Sequence, residues 1–204
     1  MSIVLFPSLA KAQVSPDQTL YRAIRERDGD INRLYTTSSD EIANAVRRLG
    51  YREENPVGRC FSQRLLESEW GAGRIPPLYT PLYRLYNSNI TDHFYTISSS
   101  ERDAAIRQSG YVNEGITCFV YSRTLLGDDC ELRRYWAAGS RSNHFYTIDL
   151  GEGWDAEDDG YVSEGSEGYL PYDGNYCQGQ REGAIILFDV EILFTHQLAH
   201  YSAD

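Results

Sequence analysis

The chain has 204 residues, 13% of them aromatic with 16 Tyr, and a formal net charge of −11 at pH 7. That acidity excludes nucleic acid and anionic membranes as partners, because phosphate neutralisation needs clustered Lys and Arg; neutral or cationic ligands remain. No stretch reaches the roughly 20 apolar residues of a membrane span, and the aromatic content excludes a disordered chain.

Residues 1–19 read as an N-terminal arm. Its first part, Met1 to Ala12, has a short apolar run and the small-x-small ending Ala10-Lys11-Ala12, a partial secretory signal without a basic start and broken by Pro7. A trimmed signal and an ordered arm are both compatible with it. A second copy of whatever begins at Leu20 is then visible downstream, and a third after that.

The first copy contains Leu20-Tyr21-Arg22-Ala23-Ile24, Arg33-Leu34-Tyr35-Thr36 and Gly50-Tyr51-Arg52-Glu53-Glu54. The second contains Leu82-Tyr83-Arg84-Leu85-Tyr86, His93-Phe94-Tyr95-Thr96 and Gly110-Tyr111-Val112-Asn113-Glu114-Gly115. The third contains Leu132-Arg133-Arg134-Tyr135-Trp136, His144-Phe145-Tyr146-Thr147 and Gly160-Tyr161-Val162-Ser163-Glu164-Gly165. One copy is too short to bury a good core alone. The expected architecture is therefore one domain over residues 20–177, with repeats at about 20–70, 78–129 and 131–177, and pseudo-threefold in arrangement.

Within each copy the first motif alternates as a strand and turn chemistry such as Asn87-Ser88-Asn89 returns the chain as a hairpin. Ser38-Ser-Asp-Glu41 and Ser98-Ser-Ser-Glu101 are capping boxes, each opening a helix that closes at Gly50 or Gly110. The first helix offers Ile42, Ala45, Val46 and Leu49 as one buried face. In the third copy, Asp149 to Asp159 holds two glycines and several acids, so its helix is expected to be short or lost. Gly71 to Pro77 reads as a loop. The class is mainly β with short helices (α+β), a trefoil- or small-propeller-like single domain. Residues 178–204 hold an apolar run, Ala184 to Phe188, and alternation through Phe194, read as C-terminal strand or strands that complete the core or pair with another chain as a homodimer.

These copies resemble a family of extracellular tandem repeats of undefined function, marked by L-Y-R-L-Y-N, D-H-F-Y-T and G-Y-x-x-E-G and typical of fungal secreted proteins and bacterial cell-surface proteins. The resemblance covers about residues 20–170. It implies a secreted, non-catalytic, lectin-like module, with no ligand attached to the motif. Arg33 departs from the pattern, standing where His93 and His144 occur in the other copies.

Two charged positions recur in all three copies: Arg22, Arg84 and Arg134, and Glu54, Glu114 and Glu164. Arg84 shares a strand face with Leu82 and Tyr86, and a buried guanidinium needs a carboxylate or carbonyls. One Arg–Glu pair per copy, pinning strand to strand, is the economical reading. The hairpins carry the candidate ligand groups, because sugar recognition needs an aromatic face and fixed polar atoms. These are Tyr83, Asn87, Asp92, His93 and Tyr95 in the second copy, and Arg133, Trp136, Asn143, His144 and Tyr146 in the third. Period 2 places His93 and Tyr95 on one face and Phe94 and Thr96 on the other, with Phe94 and Phe145 in the core. A hydrogen-bonded face between copies is the competing use of the His and Tyr residues.

The expected partner is a glycan or polysaccharide, held at two or three equivalent shallow sites. No cofactor is expected: no Gly-rich phosphate loop or nucleophile elbow occurs, and no C-x-x-C pair suggests zinc. His196-Gln-Leu-Ala-His200 has helical spacing, but Gln197 stands where a zinc protease carries its Glu. A glycoside hydrolase would need two carboxylates across a cleft, and the acids are too many to select a pair. Four Cys allow a Cys130–Cys177 bridge around the third copy, or four reduced thiols. Asn89-Ile90-Thr91 is a glycosylation sequon in a turn.

Overall fold

The computed structural model describes residues 14–171, apart from residues 28, 126–128 and 139–142. The signal-like start, Cys177, the C-terminal strands with their dimer reading, and the His196/His200 pair lie outside the described residues.

The first unit is a hairpin, β1 (Gln18–Arg27) and β2 (Asp30–Thr36), then α1 (Ser39–Leu49) and β3 (Arg52–Cys60), followed by an additional helix, α2 (Gln63–Trp70). The second runs β4 (Tyr79–Asn87), β5 (Asp92–Thr96), α3 (Ser99–Gln108) and β6 (Val112–Tyr121). The third runs β7 (Cys130–Ala137), β8 (Asn143–Thr147), α4 (Leu150–Asp158) and β9 (Val162–Leu170). The chain is thus mainly β, with four short helices among the described residues. The strands form a three-stranded sheet ordered β2-β1-β3 and a six-stranded sheet ordered β5-β4-β6-β9-β7-β8.

Two helices bear on the sequence expectation. The third helix, expected to be short or lost, is short but not lost: α4 has nine residues because Asp149 caps it, accepting from the Gly151 and Glu152 amides. Its glycines do not break it: a Cβ on Gly153 would lie 2.3 Å from the Tyr135 hydroxyl, so the absent side chain lets α4 approach β7. On α1 the buried face is narrower than expected: Ile42 and Ala45 are buried, whereas Val46 and Leu49 are exposed. The helix α2 carries no motif of the repeat and rests on Ser62 as its N-cap and on Leu66 in the core.

The central core gathers Leu20, Leu82 and Leu132 from the first strands of the units and Tyr35, Tyr95 and Tyr146 from the second. Smaller clusters lie under the helices: Ala23, Leu34, Ile42, Ala45 and Tyr51 beneath α1, Leu85, Phe94 and Tyr111 near α3, and Tyr135, Phe145 and Ala156 beneath α4. Simple alternation fails on β5 and β8, where all five residues of each strand are buried. The strands β2, β5 and β8 contact one another, so each second strand is covered on both faces.

The cysteines are not four reduced thiols, because Cys60 and Cys118 form a disulfide with a Cα separation of 6.2 Å. Cys118 stands eight residues after the Gly of Gly-Tyr, where the other units have Gly58 and Gly168. Each of these faces the residue ten after that Gly in another unit: a Cβ on Gly58 would meet Leu170 at 2.9 Å, and one on Gly168 would meet Val120 at 2.6 Å. The disulfide therefore takes the place of a glycine–aliphatic contact between units. Cys130 is buried in the core.

Candidate functional site

The chemistry-bearing side chains converge on the seams between units. At the centre, the Tyr35 amide donates to the Tyr95 hydroxyl, the Tyr95 amide to the Tyr146 hydroxyl and the Tyr146 amide to the Tyr35 hydroxyl, at 2.7–2.9 Å. Each hydroxyl also donates to the carbonyl of the tyrosine whose amide it receives, at 2.8–3.0 Å. The three rings meet edge to face with centroids 5.3 Å apart. Edge strands thereby satisfy backbone groups with side chains instead of a neighbouring strand. Burial pushes the Tyr35 phenol up to about 12, and those of Tyr95 and Tyr146 well above the usual value.

Around this centre, each repeated Arg meets a Glu of its own unit and a Glu of another. Arg22 Nε lies 3.0 Å from Glu54, Arg84 Nε 3.0 Å from Glu114 and Arg134 Nε 2.8 Å from Glu164, all within one unit. The same guanidinium groups reach the helix of another unit: Arg22 to Glu152, Arg84 to Glu41 and Arg134 to Glu101, at 2.8–3.0 Å. Those glutamates are the ones of the capping boxes, and α4 supplies its counterpart after Asp149. They do not fold back on the capping residue's amide; instead Thr36, Thr96 and Thr147 accept from Ser38, Ser98 and Asp149. Burial alone would raise the Glu101 carboxyl, but hydrogen bonds from Arg134 and Thr96 hold it below the usual carboxylate range; Glu41 and Glu152 behave alike with Arg84 and Arg22.

The hairpin residues form a third layer of the seams. His93 Nδ1 bonds Asn32 Oδ1 at 2.8 Å and His144 Nδ1 bonds Asp92 Oδ2 at 2.6 Å. At the corresponding place Arg33 donates to Asn143 Oδ1 and to the Tyr161 hydroxyl, both at 3.2 Å, and stacks 4.5 Å from the Phe145 centroid. Asp92 also accepts from the Tyr111 hydroxyl and the His144 amide. Burial, with Arg84 nearby, brings the His93 imidazole down to about 4. Burial drives the Glu167 carboxyl up although it lies 2.6 Å from Arg134.

This burial sorts the sequence candidates. Tyr95 and Tyr146 are spent on the central ring, Asn87 is buried within its own unit, donating to the Ser109 carbonyl, and Asp92, Asn143, His93 and His144 are buried against neighbouring units. Tyr83 lies half-buried beneath Arg102, and Arg133 is half-buried against Glu131. Asn89 is exposed at the β4–β5 turn, its amide held by Asn87 Oδ1. Trp136 and His144 come together on a groove of about 380 Å³, also lined by Phe94, Glu101, Gln108 and Tyr111. The α3 wall of that groove was invisible in the hairpin motifs. The recurring Arg held the signal, because the starts of α1, α3 and α4 each sit against the hairpin of another unit.

Fold and site together define a mainly β module, disulfide-linked, with an aromatic groove at a seam between two units. Residues 19–171 match the family described as a domain of unknown function (DUF5648), and the chain belongs to that family. No curated protein and no solved structure matches the chain.

Proposed function

We propose that the chain is a non-catalytic, extracellular carbohydrate-binding module on a pseudo-threefold, trefoil- or propeller-like scaffold. Its principal site is the groove between α3 and the β7–β8 hairpin. The observation that carries this reading is the lining: Trp136 offers a face for a sugar C–H surface beside the buried Phe94 and Tyr111 rings, Glu101 and His144 offer polar atoms held in place, and Gln108 adds an amide at the rim. Its volume of about 380 Å³ falls within the range of small-ligand sites. At the seam between the first and second units, Tyr86, His93 and Tyr51 occupy the matching positions, with Tyr86 and His93 rings 4.6 Å apart. That seam is the second, weaker site, because Arg25 already lies over the Tyr51 ring. The remaining seam has Ile24 in place of the Trp and is not a site.

The test is calorimetric titration of the protein with a panel of soluble oligosaccharides. Trp136→Ala is expected to weaken the best ligand at least about 10-fold, a loss of about 1.4 kcal/mol, with the melting temperature kept. A panel without any binding, or an unaffected variant, would end this reading.

A further inference from the structure

The three seams are built alike but charged differently. Where the third unit meets the first, the protein lays its own cation on the aromatic surface: Arg33 Cζ is 4.5 Å from the Phe145 centroid and 5.9 Å from that of Tyr161. Phe94 and Tyr111 stand at the matching positions between the second and third units. Arg134 Cζ lies 4.9 Å from the Phe94 centroid, as Arg22 Cζ lies 5.7 Å from that of Phe145. The second cation, Arg33, is replaced there by the shorter His144, with the groove beside it.

That groove also lies over the seam richest in negative charge. Asp92 stands where the other units have Asn32 and Asn143. Arg134 meets Glu101, Glu164 and Glu167, and the positions matching Glu167 hold Val57 and Thr117. The half-buried carboxylate of Glu101 forms part of the groove wall. Aromatic faces beside a carboxylate attract an ammonium or guanidinium group through the ring quadrupole as well as the charge, and partial burial strengthens both terms.

We infer that the groove takes a cationic group, the protonated amine of an amino sugar, in the place that Arg33 fills at the neighbouring seam. This rests on the carbohydrate reading and narrows it. The sugar ring lies against Trp136, and its ammonium group faces Glu101 over the Phe94 and Tyr111 rings. N-acetylation, which removes the charge, removes the fit.

The experiment compares a β-1,4-linked glucosamine trimer with its fully N-acetylated counterpart by calorimetric titration at low salt. The free-amine trimer is expected to bind at least about 10-fold tighter. The double substitution Asp92→Asn/His144→Arg transplants the Asn143–Arg33 pair into this seam and is expected to abolish that preference while the protein remains folded. Gln108→Lys, on the exposed rim, places a tethered ammonium at the groove and is expected to reduce the preference as well, whether or not the double variant folds. Equal binding of the two trimers would overturn the cationic inference and leave the carbohydrate reading standing. Binding of neither trimer, nor of any other oligosaccharide, would overturn both. An amine preference unchanged in every folded variant would remove the inference from this groove.

Discussion

Tyr95 shows how much rests on single atoms here. Its hydroxyl holds both the amide and the carbonyl of Tyr35. Tyr95→Phe keeps the packing but leaves a buried donor and acceptor unpaired, at a cost of about 3 kcal/mol. Urea denaturation of the variant would show it, and a loss below about 1 kcal/mol would mean that the ring is held by packing alone. His93 supplies a second residue-scale prediction. Its imidazole titrates near 4 when folded against 6.5 as its ordinary value. Between those pH values the unfolded chain binds a proton that the folded chain refuses, so stability falls as pH falls. The expected loss from pH 7 to pH 5 is about 2 kcal/mol. His93→Gln removes the titrating group, and its denaturation midpoints should differ less between the two pH values than those of the parent. Below that window, Glu41, Glu101 and Glu152 add to the loss as their lowered carboxyls protonate.

At the scale of elements, α4 separates local preference from packing. Alanine is the better helix former by about 1 kcal/mol, yet Gly153→Ala would drive a methyl group into Tyr135. The net effect expected is a destabilisation of about 1–3 kcal/mol, read as a lower midpoint in urea. A gain in stability would show that β7 can give way. The same helix marks where sequence reasoning stopped. Glycines and acids read as breakers because their partners, Tyr135 and Arg22, lie elsewhere in the chain. The capping boxes were legible, but the local role they suggest for Glu41 and Glu101 concealed the one those residues have, the Arg of another unit. The Arg–Glu pairs within a unit could be read because strand pairing brings those positions together. The His-Phe-Tyr-Thr strands could not be read by alternation, since a strand covered on both faces has no outward side. The disulfide escaped for a comparable reason: Cys60 and Cys118 occupy different places in their units and meet only across a seam.

For the molecule as a whole, the disulfide is the covalent tie between the first and second units among the described residues. It spans 58 residues, and a loop of that size is worth about 4 kcal/mol in the chain-entropy account. Reduction, or Cys60→Ala/Cys118→Ala, should lower the melting temperature accordingly. An unchanged midpoint would show that the contacts of the seam hold without it. The contacts that join the third unit to the first span greater distances still. Tyr146 meets Tyr35 across 111 residues and Glu152 meets Arg22 across 130. On a growing polypeptide, the first hairpin thus emerges with the Tyr35 hydroxyl and the Arg22 guanidinium still waiting for partners near the end of the domain. Such distant pairings are slow to form, so the nascent protein keeps an open seam for most of its synthesis. Protection by chaperones matters most in that interval, before β8 and α4 arrive to close it.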